Sequence, residues 1–418
     1  MGTYRIVGGR PLCGELTLHG AKNSVLPILA ATLAVGQTCV LHRCPDISDV
    51  KVAIAILRGL GCRVTRERED TLVVDTSCAH SCGIAPELMQ QMRAAVIFLG
   101  ALLARFGEAE LSLPGGCRLG ERPIDLHLRG LRFLGARIEQ QGERFRCRAP
   151  LLRGGIFALP FPSVGATENL LLASLACEGE FVLCNAAREP EITDLMRFLR
   201  ACGAELSGDD GSVLCVHGGT KLHGAEYTVM PDRMEAATYL LAAAATRGRI
   251  LLRDGEPGHL RAVLDTLRRC GCTLREERSL MELSCKKLGA AGAVRTAPYD
   301  GFPTDAQAPM VAAMCTAEGV SVFEENIFSA RFAHVPALQA MGADICAGTR
   351  YAVVRGVPRL HGAHVTATDL RGGAAMVIAA LSAEGESLVE ETRHTERGYA
   401  DFAAYLRRCG AAITCEET

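Results

Sequence analysis

No stretch of this 418-residue sequence is apolar for long enough to cross a bilayer; the longest runs, near residues 24–35 and 94–103, stop short of the ~20 residues required. The opening Gly2-Thr3-Tyr4-Arg5 has no apolar signal core, and Ile6 stands where a myristoylation site needs Ser or Thr. A long run of one charge is also missing. Lys and Arg number 45 against 47 Asp and Glu, for a formal net charge of -2, which leaves no basic face for nucleic acid or a membrane surface. These absences point to a cytoplasmic protein.

Several chemical signatures are missing too. There is no phosphate loop of the Gly-x-x-x-x-Gly-Lys-Ser/Thr type, and residues 59–64 lack the third glycine of a dinucleotide fingerprint. Neither a zinc-hydrolase His-Glu-x-x-His nor a Gly-x-Ser-x-Gly nucleophile turn occurs. Cysteine is abundant at 19, but the number is odd and the positions are scattered. This reads as free, mostly buried thiols in a reducing compartment rather than a disulfide framework. Cys78-Ala79-His80-Ser81-Cys82 has no second ligand pair to complete a zinc site. No metal and no cofactor are therefore expected.

What is present is material for large cores, with 49% hydrophobic residues, and a sixfold internal repeat. A helical stretch, a glycine and an apolar strand recur around Gly61, Gly135, Gly203, Gly271, Gly342 and Gly410, spaced about 70 residues apart. Each repeat also has an upstream half. There an apolar helix runs toward Gly36, Gly107, Gly179, Gly248, Gly319 or Gly385, and the glycine is expected to stop the helix in the left-handed conformation. The downstream helices are amphipathic. The upstream ones are apolar all round and too short for a membrane, so they should be fully buried. Terminal repeats resemble middle ones, which favours closed groups of three over an open solenoid.

Three segments stand out chemically. Gly20-Ala21-Lys22-Asn23-Ser24 precedes an apolar helix, so Lys22 lies near free backbone N–H groups, a seat for phosphate or carboxylate as readily as a solvated surface position. Residues 113–123 hold three glycines and two prolines around Cys117, with Arg118 and Arg122 beside it, a pattern for a mobile loop with a thiol whose ionised form is favoured. Phe302-Pro303-Thr304-Asp305 and Thr368-Asp369-Leu370-Arg371 open two of the apolar helices; such aspartates usually cap. Arg93, Arg122, Arg331, Arg371 and Arg397 recur near repeat starts and suit a small, highly anionic ligand.

Taken in order, Ala21-Lys22-Asn23, Pro114-Gly115-Gly116-Cys117, Ser163-Val164-Gly165-Ala166-Thr167, Arg188-Glu189-Pro190-Glu191, Phe302 to Asp305 and Thr368 to Arg371 resemble the UDP-N-acetylglucosamine 1-carboxyvinyltransferases, essentially end to end. The resemblance implies a two-domain inside-out α/β barrel of three βαβαββ units per domain, buried helices inside sheets. Its domains would be residues 22–229, and 1–21 with 230–418, the substrate cleft lying between them. It implies transfer of the enolpyruvyl group of phosphoenolpyruvate to the 3′-hydroxyl of UDP-N-acetylglucosamine by addition–elimination, a step of bacterial peptidoglycan synthesis. Cys117 would protonate C3 and Asp305 act as base, with Lys22 and Arg397 also catalytic. Lys22, Asn23, Arg122, Asp369, Arg371 and Arg397 would hold phosphoenolpyruvate. Arg93, Arg122, Pro123, Ile124, Asp125, Leu126, Ser163, Val164, Gly165, Asp305 and Ile327 would hold the nucleotide sugar. A cysteine in the lid further implies alkylation by the epoxide fosfomycin. Arg118 and Glu121 add charge to that lid, and Phe161-Pro162 precede Ser163 where some members carry Lys. Transfer to another acceptor such as shikimate 3-phosphate, or a non-catalytic sugar-nucleotide-binding paralogue, are the alternatives. The Cys117 loop speaks against the first, and the retained Lys22, Cys117, Asp305 and Arg397 against the second.

Overall fold

The computed structural model describes residues 2–115, 124–209 and 211–417. The lid positions Cys117, Arg118, Glu121, Arg122 and Pro123 lie outside the described residues.

The upstream helices are Lys22–Val35, Phe98–Phe106, Val164–Ser174, Arg233–Ala245, Thr304–Met314 and Leu370–Ser382, and each is buried along most of its length. With no polar stripe to turn to water, they pack on one another in threes. The first three form one core; the last three, with the strands around them, form the other. Downstream helices such as Pro190–Ala201 and Arg261–Arg269 bury one face and expose the other.

Polar residues enter the apolar helices mainly at their starts, where they cap. Asp232 accepts from Met234 N at 2.7 Å and Glu235 N at 2.9 Å, and Asp369 from Arg371 N at 3.1 Å and Gly372 N at 3.2 Å. Ser163 accepts from Ala166 N at 3.4 Å. Each satisfies donors that a helix start leaves without partners.

Five of the sheets have four strands in one common order, and that of the second repeat has three. In the fifth repeat, Ala293–Arg295 lies parallel to Val320–Glu324, which pairs antiparallel with Tyr351–Arg355, itself paired to Asp344–Ala347. In the second repeat the place of the parallel strand is taken by a single bridge, Gly83 to Glu110. Side chains alternate: Ser321 and Phe323 point inward, Val320 and Val322 outward.

The chain divides into two compact units, residues 20–115 with 124–230, and residues 2–19 with 231–417. Each unit closes on itself through a strand that belongs, by chain order, with the other. Glu226–Thr228, after the third repeat, pairs with Thr38–His42 of the first. Cys13–Thr17, which precedes the first repeat in the chain, pairs instead with Arg249–Arg253 of the fourth. Gly2–Val7 completes the sixth repeat between Glu386–Glu390 and Ala412–Glu417.

All six glycines of the main repeat take positive φ, from 88° at Gly271 and Gly410 to 106° at Gly135. The upstream glycines behave less uniformly than their spacing suggests. Gly36 and Gly107 do cap their helices in the left-handed conformation. After the fourth helix Arg247 takes that conformation, at φ 58°, instead of Gly248. The third, fifth and sixth helices have Leu175, Cys315 and Ala383 at their C-cap positions, ahead of Gly179, Gly319 and Gly385. Gly319 and Gly385 form bends just before the next strand and Gly179 lies at a bulge inside the strand Cys177–Cys184, all three at positive φ, so the spacing located the entry to the strand rather than the helix stop.

Among the described residues no helix is long and apolar enough to cross a membrane, and eighteen cysteines are free, most of them buried.

Gly410 and Gly59 make a controlled comparison, because an added Cβ meets nothing within 4 Å at either. Gly410 has φ 88°, so Gly410→Ala should cost about 1–2 kcal/mol. Gly59→Ala, at the end of the helix Ser48–Gly59, should be neutral or stabilising by up to ~1 kcal/mol. Urea unfolding midpoints of the two variants check this.

Candidate active site

In the second unit the first turns of the three buried helices converge on charged groups. Thr304 and Asp305 open the helix Thr304–Met314, whose N-cap position, Pro303, makes no side-chain cap bond. Asp305 is therefore not a cap. Its Oδ1 accepts from Arg331 Nη2 at 2.8 Å, and its Oδ2 from Arg371 Nε at 3.2 Å and Nη2 at 3.1 Å. Both guanidinium groups are almost fully buried, at 2% and 3% side-chain exposure, while the Asp305 side chain is 29% exposed. One carboxylate is thus fixed in orientation by two cations and still reached by solvent.

Arg371 is itself held. Its Nη1 donates to the Tyr399 hydroxyl at 2.7 Å, and its guanidinium lies 5.3 Å from that ring's centre. Tyr399 meets Thr238 Oγ1, from the fourth buried helix, at 2.7 Å. Burial opposes the charge on Arg371, but Tyr399, Asp305 and Asp232 around it outweigh burial and raise its pKa. Arg331 donates from Nε and Nη2 to the Thr304 carbonyl, at 3.2 and 3.1 Å. Pro309, inside the same helix, supplies no N–H to the Asp305 carbonyl four residues earlier. Glu325 braces the far side: it accepts from Thr304 Oγ1 at 3.0 Å, Ile327 N at 2.9 Å and Phe328 N at 3.0 Å. Asp369, besides capping, accepts from Thr368 Oγ1 at 3.1 Å. Arg397 ends a short 3-10 helix, Thr392–Arg397, and is half-buried.

In the first unit Lys22 is the first residue of its helix and is buried, not solvated; its Nζ lies 2.7 Å from Asp49 Oδ2, with side-chain exposures of 10% and 2%. Asn23 follows it, half-buried. A second group forms around Arg93, whose Nη1 donates to the Pro114 carbonyl at 3.0 Å. His127, on the helix Asp125–Phe133, is buried and feels the charges of Arg93 and Asp125. Asn169 Nδ2 reaches His127 Nδ1 at 2.7 Å and the Val96 carbonyl at 2.9 Å, while its Oδ1 takes Gly100 N at 2.6 Å. A Cβ on Gly165 would come within 3.0 Å of the His127 ring, so the glycine after Ser163 and Val164 makes room for the imidazole. Ile124 is buried and Leu126 half-buried beside Asp125.

The structure therefore gathers Asp305, Arg371, Arg331 and Ile327 in one unit, and Arg93, Asp125 and Ser163 to Gly165 around His127 in the other. Sequence reasoning missed Asp49, His127, Asn169, Glu325 and Tyr399. Their signal was weak but real for two: Glu168-Asn169 are polar residues inside an otherwise apolar helix, and Glu325 follows a strand whose inward residues are apolar. Among the described residues no group of three or more His, Cys, Asp or Glu is placed to hold a metal ion; the Cys78 thiol donates to the Gly61 carbonyl at 3.1 Å.

Residues 6–406 match the family model described as EPSP synthase (3-phosphoshikimate 1-carboxyvinyltransferase). The chain belongs to this enolpyruvyl transferase family. It is 45% identical over 414 residues to UDP-N-acetylglucosamine 1-carboxyvinyltransferase 2 of Caldanaerobacter subterraneus, covering 99% of each chain. A UDP-N-acetylglucosamine 1-carboxyvinyltransferase of Dichelobacter nodosus is 44% identical over 413 residues, again covering 99% of each. Among solved structures, the enolpyruvyl transferase NikO of Streptomyces tendae superposes with a TM-score of 0.90 at 24% identity, covering 100% of this chain and 99% of that one. EPSP synthase of Acinetobacter baumannii gives 0.75 at 19%, with both chains fully covered. At these identities the structures establish the fold, a two-domain α/β architecture.

Burial pushes both His127 and His334 down from 6.5 to about 4; Arg93 adds to this at His127 and Arg331 at His334, with Asp125 and Asp369 opposing. Between about pH 4 and 6.5 the unfolded chain binds protons that the folded chain refuses. Stability is then complete above pH 6.5 and is lost as pH falls toward 4, by up to ~1.4 kcal/mol per pH unit for each histidine. His127→Gln, which cannot titrate, should flatten this decline by that amount. Urea unfolding of both proteins between pH 7 and 4.5 measures it.

Proposed function

We propose that the chain transfers the enolpyruvyl group of phosphoenolpyruvate to the 3′-hydroxyl of UDP-N-acetylglucosamine, releasing phosphate, as a cytoplasmic enzyme of bacterial peptidoglycan synthesis. The near full-length identity to relatives of that name carries the choice of acceptor. The observation that carries the chemistry is the Asp305 carboxylate held by Arg331 and Arg371.

The reaction needs a base at the sugar hydroxyl, an acid at C3 of phosphoenolpyruvate and cations for its phosphate and carboxylate. Asp305 supplies the base. Fixed by two guanidinium groups, its oxygens have a defined direction, and 29% exposure leaves room for a hydroxyl to approach. An anionic substrate that draws Arg371 onto its own carboxylate would free Oδ2 of Asp305 to face the sugar hydroxyl. Lys22, paired with Asp49, supplies a second cation, with Asn23, Arg122, Asp369 and Arg397 completing the anion site. Cys117 delivers the proton to C3. Once the hydroxyl has added to C2 and C3 carries the new proton, the tetrahedral ketal loses phosphate and a C3 proton. The acceptor is held through Arg93, residues 122–126 and 163–165, and Ile327. The proposed domains are residues 22–229, and 1–21 with 230–418.

Phosphate release from phosphoenolpyruvate, followed with and without UDP-N-acetylglucosamine, tests this reading. Release should require the nucleotide sugar, and Asp305→Ala should lower kcat by about 100- to 10,000-fold, the range typical of a lost general base. Release with shikimate 3-phosphate instead would move the acceptor, and binding of the nucleotide sugar without turnover would favour the regulatory paralogue. Fosfomycin with UDP-N-acetylglucosamine should add one drug mass to the intact protein, mapped to Cys117; an unchanged mass removes the proton-donor assignment.

A further inference from the structure

Besides the Lys22–Asp49 pair, a second buried carboxylate fastens the turn that carries Lys22 and Asn23 to the rest of its unit. Asp194 lies on the helix Pro190–Ala201 of the third repeat and is 3% exposed. It accepts from the Ser24 hydroxyl, from the Tyr227 hydroxyl at 2.6 Å and from Met230 N at 3.2 Å. The Tyr227 hydroxyl also reaches the Asp194 carbonyl at 3.1 Å, and its ring packs edge-on to Phe198, one turn along the same helix, at 5.5 Å. The Met230 carbonyl in turn accepts from Ala21 N at 2.7 Å. Ala21 and Ser24, on either side of Lys22 and Asn23, are thus both fastened to Asp194, the first through Met230 and the second directly.

This fastening stands in for something the helix lacks. Ala21, at the N-cap position, makes no side-chain cap bond, so no local side chain fixes the entry of the chain into its first turn. Pro27, inside the helix, also supplies no N–H to the Asn23 carbonyl four residues earlier. A first turn with neither restraint depends on contacts from elsewhere. Holding a carboxylate in the interior carries a cost that an apolar residue of similar size avoids. Burial accordingly pushes the Asp194 pKa up, and the Ser24, Tyr227 and Met230 donors pull it back.

We propose that Asp194, through Ser24 and Met230, is a positioning residue that aims Lys22 and Asn23 at the anionic substrate. The inference rests on the proposed role of those two residues in binding phosphoenolpyruvate. It assigns Asp194 no contact with substrate. Its effect is expected on one substrate and not the other, because the His127 group on the acceptor side is built from different elements.

The test uses full-length Asp194→Asn and Ser24→Ala, the second removing a single donor should the first not fold. KM for phosphoenolpyruvate should rise about tenfold, with KM for UDP-N-acetylglucosamine within about twofold of wild type. A lowered melting temperature with both KM values unchanged would show a purely structural carboxylate and overturn the proposal. A second readout does not depend on turnover: acetic anhydride labelling of Lys22, followed by peptide mass spectrometry. Labelling should be at least about threefold faster in Asp194→Asn, as the buried Lys22 turn loosens, while the buried Cys44 thiol stays protected from maleimide. Equal Lys22 labelling in wild type and variant would overturn the proposal even if the wild type proves to act on another substrate. Absence of nucleotide-sugar-dependent phosphate release in the wild type would instead count against the functional reading alone.

Discussion

Six helices in this chain are apolar on every side, and a helix of that kind must be surrounded. Three can shield one another only along a shared axis, so each group of three needs sheets around it, and every repeat supplies one. The same constraint decides where chemistry can occur. Along the buried lengths there is little place for a charge, and apart from residues such as Glu168, Asn169 and Thr238 the polar groups gather at the helix starts: Lys22, Asn23 and Ser24; Ser163; Asp232; Thr304 and Asp305; Asp369 and Arg371. In the second unit three of these turns meet, linked from Asp305 to Arg371, through Tyr399, to Thr238. The charged groups there are ordered by packing that is otherwise hydrophobic, which is how buried guanidinium groups come to be hydrogen-bonded and paired rather than a liability.

Closure of each ring is a separate problem, solved by exchange. A group of three repeats read along the chain lacks one parallel strand, and each unit takes the missing strand from the segment next to the other: Glu226–Thr228 for the first repeat and Cys13–Thr17 for the fourth. The N-terminal strand Gly2–Val7 fills the last gap, in the sixth repeat. The ends of the chain are therefore built into sheets, and the two crossing segments sit directly beside residues proposed to bind substrate. Lys22 follows the first crossing, and Asp232, which acts on Arg371, follows the second.

Much of this was legible in the sequence because it follows from periodicity. The six repeats, their buried and amphipathic helices and the left-handed glycines all leave a pattern in residue type. The strand exchange left none, since a strand of three residues such as Glu226–Thr228 carries no periodic signal and its partner is almost two hundred residues away. At the site, Lys22, Asp305 and Arg371 could be nominated from motif order. Sequence could not say that Asp369 caps its helix while Asp305 does not, because both are aspartates at helix starts; the difference is the pair of guanidinium groups facing Asp305. Asp49, His127 and Tyr399 went unnoticed for a related reason. Each owes its importance to a partner distant in sequence, and none is unusual in its local surroundings.

The central claim is that the enzyme adds a proton to C3 of phosphoenolpyruvate and later removes one, with the sugar hydroxyl bound in between. The most direct measurement is mass spectrometry of the product formed in deuterium oxide. Addition followed by elimination makes C3 a methyl group in the intermediate, so the product's vinyl methylene should carry solvent deuterium, and unreacted phosphoenolpyruvate should gain it only when the nucleotide sugar is present. Product formed with no deuterium at C3 would mean that C3 is never protonated, and would contradict addition–elimination and the role given to the Cys117 loop.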